Sequence, residues 1–256
     1  MTARLRPGSE PLETCSPVVD LRQYTLHPGT LDSFVELFDR EFVETQEAAG
    51  MRIIGQFRDL GDPNRFVWMR GFPDMPSRAA ALASFYGAGD AWRTHGGTAN
   101  SMMIDSSDAL LLRPARPGGG FVLESAARRP PPGSAAPAGL VVATIHHVPD
   151  PAEAGFLDFF EDVVGPAQAD AGASFLGLFA TEHAPNNFQH LPLREGENVV
   201  VSFAGHGDLT AYHRYMTVLG GNPRWRDGIY PELTRRLSAP PQILRLAPTS
   251  RSQLRA

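Results

Sequence analysis

The chain has 256 residues, with 28 acidic side chains against 23 basic ones, all arginine, for a formal net charge of −5. Hydrophobic residues make up 42% and charged residues 20%, the balance of an ordinary globular protein. No run reaches the ~18 uncharged apolar residues a membrane helix needs, and the N-terminus lacks a basic-then-apolar leader, so a cytoplasmic protein without a membrane span is expected. Cys15 is the only cysteine, which excludes a disulfide framework, a zinc ribbon and a redox pair. Without lysine there is no Schiff base and no phosphate-loop lysine. Mild acidity without a basic run argues against nucleic acid as a partner.

Residues 1–17 show no periodicity and read as a disordered tail. VVDLRQYTL then alternates and stops at His27-Pro28-Gly29, the pattern of a strand. Leu31, Phe34, Val35, Phe38 and Phe42 follow at helical spacing, ended by Gly50. IIGQF and RFVWMRGF read as two strands, Asp74 as the N-cap of a second helical stretch holding Phe85 and Trp92, and ALLLR as a closing strand. A breaker-rich linker covers 116–138. The series then recurs over 139–248: LVVATIHHV, a helix with Phe156, Phe159, Phe160 and Val163, FLGLF, NVVVSFAGH, a stretch with Tyr212, Tyr215 and Trp225, and QILRL. Asp150-Pro151 with Glu153 reads as the cap and start of its first helix. Residues 249–256 remain as a short tail.

The recurrence is a duplication. Phe34 and Phe156, Gly55 and Gly177 (177 − 55), and Phe57 and Phe179 all stand 122 apart. Asn64 and Asn198, Val67 and Val201, and Asp74 and Asp208 stand 134 apart (208 − 74). The second copy therefore carries an insertion of 12 residues (134 − 122) after Phe179. Its Pro, Asn and Gly content marks it as a loop, either a lid over a site or a clamp between the copies, and the clamp is the favoured reading. Each copy has the order βαββαβ of a ferredoxin-like unit, with both helices on one face of the sheet. The bare faces must be covered. The expected fold is thus α+β: two tandem ferredoxin-like βαββαβ units, 18–115 and 139–248, packed sheet to sheet as a pseudo-dimeric α/β barrel.

Specific residues carry a family resemblance. Asp20-Leu21-Arg22-Gln23-Tyr24 before His27-Pro28-Gly29, Gly55-x-Phe57, Gly61-Asp62-Pro63-Asn64, Arg78, Trp92 and Leu111-Leu112-Arg113-Pro114 resemble NIPSNAP-domain proteins. The second copy departs more, with Thr144 and His146 in place of Arg and Tyr, yet resembles the second domain of bacterial members. The resemblance implies the dimeric α/β-barrel superfamily, which includes cofactor-free monooxygenases, cyclases, isomerases and haem enzymes. It specifies a fold rather than a reaction.

Strand alternation separates two faces. Placing Val19, Leu21, Val67 and Met69 toward the helices leaves Asp20, Arg22, Tyr24, Phe66, Trp68, Arg70 and Phe72 pointing between the sheets, with Val142, Thr144, His146, Ser202, Ala204 and His206 from the second copy. With strands one and three as parallel central neighbours, His146 and His206 would meet at one rim. These residues make a candidate small-molecule site. His146 and His206 would move protons, Arg22 and Arg70 would stabilise an oxyanion, and Tyr24, Trp68, Phe72, Thr144, Ser202 and the insertion's His183 would contact substrate.

The function this favours is proton-transfer chemistry, as an isomerase, cyclase or cofactor-free oxygenase, on an aromatic or polyketide-like substrate of secondary metabolism. No cofactor is expected, since dinucleotide, elbow and zincin motifs are absent from the sequence. The alternative is a non-catalytic ligand-binding or scaffold protein. A haem or metal protein, using the two histidines with His183, ranks lower. Open strand edges would let two chains pair as a homodimer.

Overall fold

The structure, a computed structural model, describes residues 15–123 and 129–256. All but the last three residues of the tail expected over 1–17 lie outside the described residues, as does the 124–128 part of the linker. Each half supplies four strands: β1 (Val18–Leu26), β2 (Arg52–Asp59), β3 (Arg65–Phe72) and β4 (Met103–Pro114), then β5 (Leu140–His147), β6 (Ser174–Thr181), β7 (Val199–His206) and β8 (Ala239–Pro248). Helical stretches over 31–48 and 75–102 serve the first half, and 153–170 and 209–235 the second. The duplication reaches fine detail. The π-helical turns Phe38–Phe42 and Phe160–Val164 occupy matching places. Asp74 accepts a hydrogen bond from the Ser77 amide at 2.7 Å, and Asp208 one from the Ala211 amide at 2.6 Å, as N-caps should. The helix after β5 differs from expectation: it opens at Glu153 behind Ala152, so neither Asp150 nor Pro151 takes the place assigned to it.

The eight strands close into one barrel in the order β1-β3-β2-β8-β5-β7-β6-β4, with every neighbouring pair antiparallel. The two ferredoxin-like units thus join at their edges through β2–β8 and β4–β6. Phe57 lies opposite Pro248 and Phe179 opposite Pro114, so the two seams are equivalent. No described strand is left with a free side to recruit a second chain, which removes the basis for the expected edge-to-edge homodimer. Strands one and three are antiparallel, not parallel, because a crossover helix brings β2 alongside in the direction of β1 and the β2–β3 turn reverses it.

The barrel interior holds Val19, Leu21, Val67, Met69, Val141, Ile145, Val201, Phe203, Leu244 and Leu246, all buried. An eight-stranded barrel is just wide enough for side chains to fill it. The face assignment is therefore inverted: the aliphatic set fills the barrel, and Asp20, Arg22, Tyr24, Trp68, Arg70 and Phe72 point outward under the helices. Chain segments after β4 and β8 cap the barrel, with Phe121 against Phe179 at 4.6 Å between ring centres and the Leu254 amide bonded to the Ile54 carbonyl at 2.8 Å. Residues 249–252 are likewise buried.

Gly55 and Gly177 sit at matching register shifts in β2 and β6. The Phe57 ring lies 2.6 Å from where a Gly55 Cβ would stand, and the Phe179 ring 2.9 Å from that of Gly177. Both rings are fully buried and cannot swing away. Either Gly→Ala change should lower the unfolding free energy by about 1–3 kcal/mol, measured by urea denaturation. A neutral result at both positions would contradict the packing described.

Candidate functional site

The layer between the first sheet and its helices contains three arginines with no solvent exposure, Arg22, Arg70 and Arg78, and one buried carboxylate, Asp20. Arg22 and Asp20 alternate outward from β1, Arg70 projects from β3 directly opposite Asp20, and Arg78 comes from the helical stretch over 75–102. Asp20 accepts from Arg70 Nε at 3.0 Å and from Arg78 Nε at 3.1 Å. Burial alone would raise the Asp20 pKa, but Arg70, Arg78 and Arg22 outweigh it and hold the carboxyl below its ordinary value. Burial likewise opposes the Arg70 charge, and Tyr86 and Asp20 reverse the balance. Arg70 also donates to Gln46 Oε1 at 3.2 Å and the Tyr86 hydroxyl at 3.1 Å. Its guanidinium lies 4.9 Å from the centre of the Trp68 ring and 5.7 Å from that of Phe72. Arg22 donates to the Tyr24 hydroxyl at 3.2 Å and the Ser106 carbonyl at 3.0 Å.

The ledger of charge does not balance. Three guanidinium groups face one carboxylate, and Arg22 Nη1, Arg70 Nη2, Arg78 Nη2 and Trp68 Nε1 make no hydrogen bond among the described residues. Such an arrangement favours an anion. Arg78 is the member that strand reading missed. Its signal was helical: Arg78, Leu82 and Phe85 share one face at i, i+4 and i+7.

The insertion from the second half closes this layer. Arg78 donates to Asn186 Oδ1 at 3.2 Å and Asn187 Oδ1 at 2.8 Å, Asn187 returns a bond to the Met75 carbonyl, and Phe188 packs by Tyr86. Arg194 pairs with Asp108 at 3.2 Å, and its amide bonds the Ala109 carbonyl. The loop is both a clamp across the halves and a cover for the arginines.

Arg22, Arg70, Tyr24, Trp68 and Phe72 are thus brought together, but under helices rather than between sheets. Thr144, Ser202, His146 and His206 lie in the corresponding layer of the second half. There His146 is opposite Val200 and Leu140 opposite His206, a separation of six residues, or roughly 20 Å along antiparallel strands. The two histidines do not converge. His146 packs on Phe156 and Phe160 with Nε2 3.5 Å from the Ser202 hydroxyl, while His206 packs on Tyr212 and Tyr215 with neither ring nitrogen bonded among the described residues. His183 sits on the surface, 62% exposed, 3.6 Å from Glu153. The expected acid–base pair and the third ligand therefore fail. These residues do not fit a haem or a metal: each buried imidazole is enclosed by aromatic rings, and no described group of three or more His, Cys, Asp or Glu side chains could hold an ion.

Two ferredoxin-like units closed into one barrel, with a cationic layer beneath the helices of the first, define a pseudo-dimeric α/β-barrel protein. The NIPSNAP family model matches residues 19–117, and this stretch is similar to a NIPSNAP domain. Solved structures extend the likeness over both halves. An anthrone oxidase-like protein is 14% identical with a TM-score of 0.58, covering 93% of this chain and 95% of its own. A provisionally assigned monooxygenase from Lactobacillus acidophilus is 13% identical with a TM-score of 0.54, covering 92% and 94%. A dye-decolorizing peroxidase from Bacteroides thetaiotaomicron is 10% identical with a TM-score of 0.53, covering 94% and 95%. At these identities the likeness is one of fold. No curated protein matches the chain. No described helix is long and apolar enough to cross a membrane.

Removing the carboxylate that separates Arg70 from Arg78 should be costly. Asp20→Asn should lose about 3–5 kcal/mol of stability, and the double change Asp20→Asn with Arg70→Met should lose less than the sum, by urea denaturation. Additivity would mean that Asp20 and Arg70 are not coupled.

Burial and the neighbouring His147 push His146 from 6.5 down to about 4, so it is neutral in the native state and protonates on unfolding between those values. Native stability is therefore expected to fall as pH drops through that window, by on the order of 3 kcal/mol in full. Asp39, raised by burial from 3.8 to about 6, acts in the opposite sense across part of the same range. The comparison is thus between variants: His146→Phe should flatten the acid side of the stability profile relative to the parent, and parallel profiles would refute the assignment.

Proposed function

We propose that the chain is a small-molecule enzyme whose substrate is aromatic or polyketide-like and binds as an anion in the helix–sheet layer of the first half. The observation that carries this reading is the buried excess of guanidinium over carboxylate, with donor nitrogens directed into an aromatic surround. In a low-dielectric layer that charge favours the ionised form of a weakly acidic phenol or enol. Arg22 and Arg70 would stabilise the oxyanion, and Tyr24, Trp68 and Phe72 would pack along the ring system. The chemistry that follows from such an anion is isomerisation, cyclisation or, with dioxygen as the oxidant, cofactor-free oxygenation. His146 and His206 take no part, since they belong to the other layer. The fold-level likeness to an anthrone oxidase-like protein points the same way by analogy only.

A second reading, a non-catalytic protein whose arginines anchor the insertion, is favoured by how tightly the layer is filled. The cavity among Tyr24, Trp68, Tyr86 and Trp92 measures about 20 Å³, room for one water. A substrate would enter only as the insertion lifts.

Titration of 1-hydroxy-2-naphthoate and of neutral 2-naphthylmethanol into the full chain, followed by tryptophan fluorescence, separates the readings. Saturable binding of the anion, at least tenfold weaker in Arg22→Gln (about 1.4 kcal/mol) and faster in Phe188→Ala, is expected. Equal binding of the two compounds, or no binding even to Phe188→Ala, overturns the site. Oxygen uptake with anthrone as trial substrate tests the oxygenase form, and binding of the naphthoate without any turnover of acidic phenols or enols would leave the non-catalytic reading standing.

A further inference from the structure

A second site lies on the opposite flank of the first helical stretch. A cavity of about 470 Å³, within the range of small-molecule pockets, is bounded by that helix, Arg58, linker residues 132–136 and the chain after β8. The charged groups around it pair almost completely. Arg58 binds Asp32 at 2.6 Å, Arg40 binds Glu36 at 2.9 Å, Arg129 binds Glu47 at 2.5 Å, and Arg251 binds Glu44. Asp39 is left over. It is 3% exposed, its Oδ1 accepts no hydrogen bond among the described residues, and Arg251 reaches only its backbone carbonyl. In the same wall the Thr249 hydroxyl is buried, at 3% exposure for the residue, and equally without a partner. Asp39 and Thr249 both line the cavity, and their unpartnered oxygens, which have almost no exposed surface of their own, would be satisfied by a compact donor with positive charge that reaches them. The chain has no lysine, so no ammonium of its own side chains can serve.

We propose that this cavity binds a small primary amine, its ammonium held by Asp39 and Thr249 and its carbon body laid against Val35, Pro132 and Ala136. The site is independent of the arginine layer, which takes anions. Its pH behaviour follows from the groups that face Asp39. Burial raises the carboxyl to about 6 against the opposing pull of Arg251, Arg129 and Arg58, with Glu44 adding to the rise. Asp39 is charged above that value, so amine affinity should be full near pH 7.5 and about tenfold lower at pH 5.

The probe is n-butylamine, with n-butanol as its uncharged counterpart, titrated into the 15N-labelled full chain and followed through the Asp39 and Ser250 amide signals. Saturable shifts with the amine, none with the alcohol, the stated loss at pH 5 and at least tenfold weaker binding by Asp39→Asn are expected. Removing an unpaired buried charge should leave the melting temperature of Asp39→Asn at or above that of the parent. Thr249→Val supplies a second variant should Asp39→Asn fail to fold, and should weaken the amine several-fold. Equal response to the alcohol, unchanged affinity in Asp39→Asn, or unchanged affinity in Thr249→Val alone among folded variants overturns the proposal.

Discussion

Closure of the sheet is the constraint from which the remaining features follow. Four strands from each half meet at two equivalent seams, Phe57 with Pro248 and Phe179 with Pro114, so each described strand has neighbours on both sides. A closed eight-stranded barrel is just wide enough for side chains to fill it, and here its inward positions are mostly aliphatic, with Gln23 and Gln242 hydrogen-bonded to each other as a polar pair. Polar chemistry is thereby displaced to the outer face, where helices cover it and loops can supply partners. The contrast between a largely aliphatic barrel and charged or imidazole-bearing helix–sheet layers follows from this placement.

Much of this was legible in the chain itself. The constant offsets between Gly55 and Gly177 or Asp74 and Asp208 revealed the duplication, and the strand and helix order of each copy followed from periodicity and caps. The direction of the faces was not legible. Nearly every residue of β1 and β3 is buried, so alternation separates two sets without saying which lies inside. Aliphatic Val19, Leu21, Val67 and Met69 suit a helix-covered face as well as a barrel interior, and only closure decides between them. The supposed meeting of His146 and His206 failed for a different reason: both are near the ends of their strands, but antiparallel neighbours place those ends apart.

The two halves have diverged most where the barrel does not restrain them. The outward positions of β1 carry Asp20, Arg22 and Tyr24, whereas their counterparts in β5 are Val142, Thr144 and His146. One layer is thus strongly cationic and hydrogen-bonded across three elements, and the other encloses imidazoles kept neutral by burial. The aliphatic interior retains the shared character of both copies, with Val67 matched by Val201 and Phe57 by Phe179. Fusion into a single chain permits this, since a symmetric pair of identical subunits would carry the same groups twice.

The loop that follows β6 grows from one repeat yet completes the other. Asn186 and Asn187 accept from Arg78 Nη1, Pro192 meets Arg22, and Phe188 roofs Tyr86. An excised first repeat would therefore present bare guanidinium groups along with two unzipped sheet margins, so neither half can stand in for the whole.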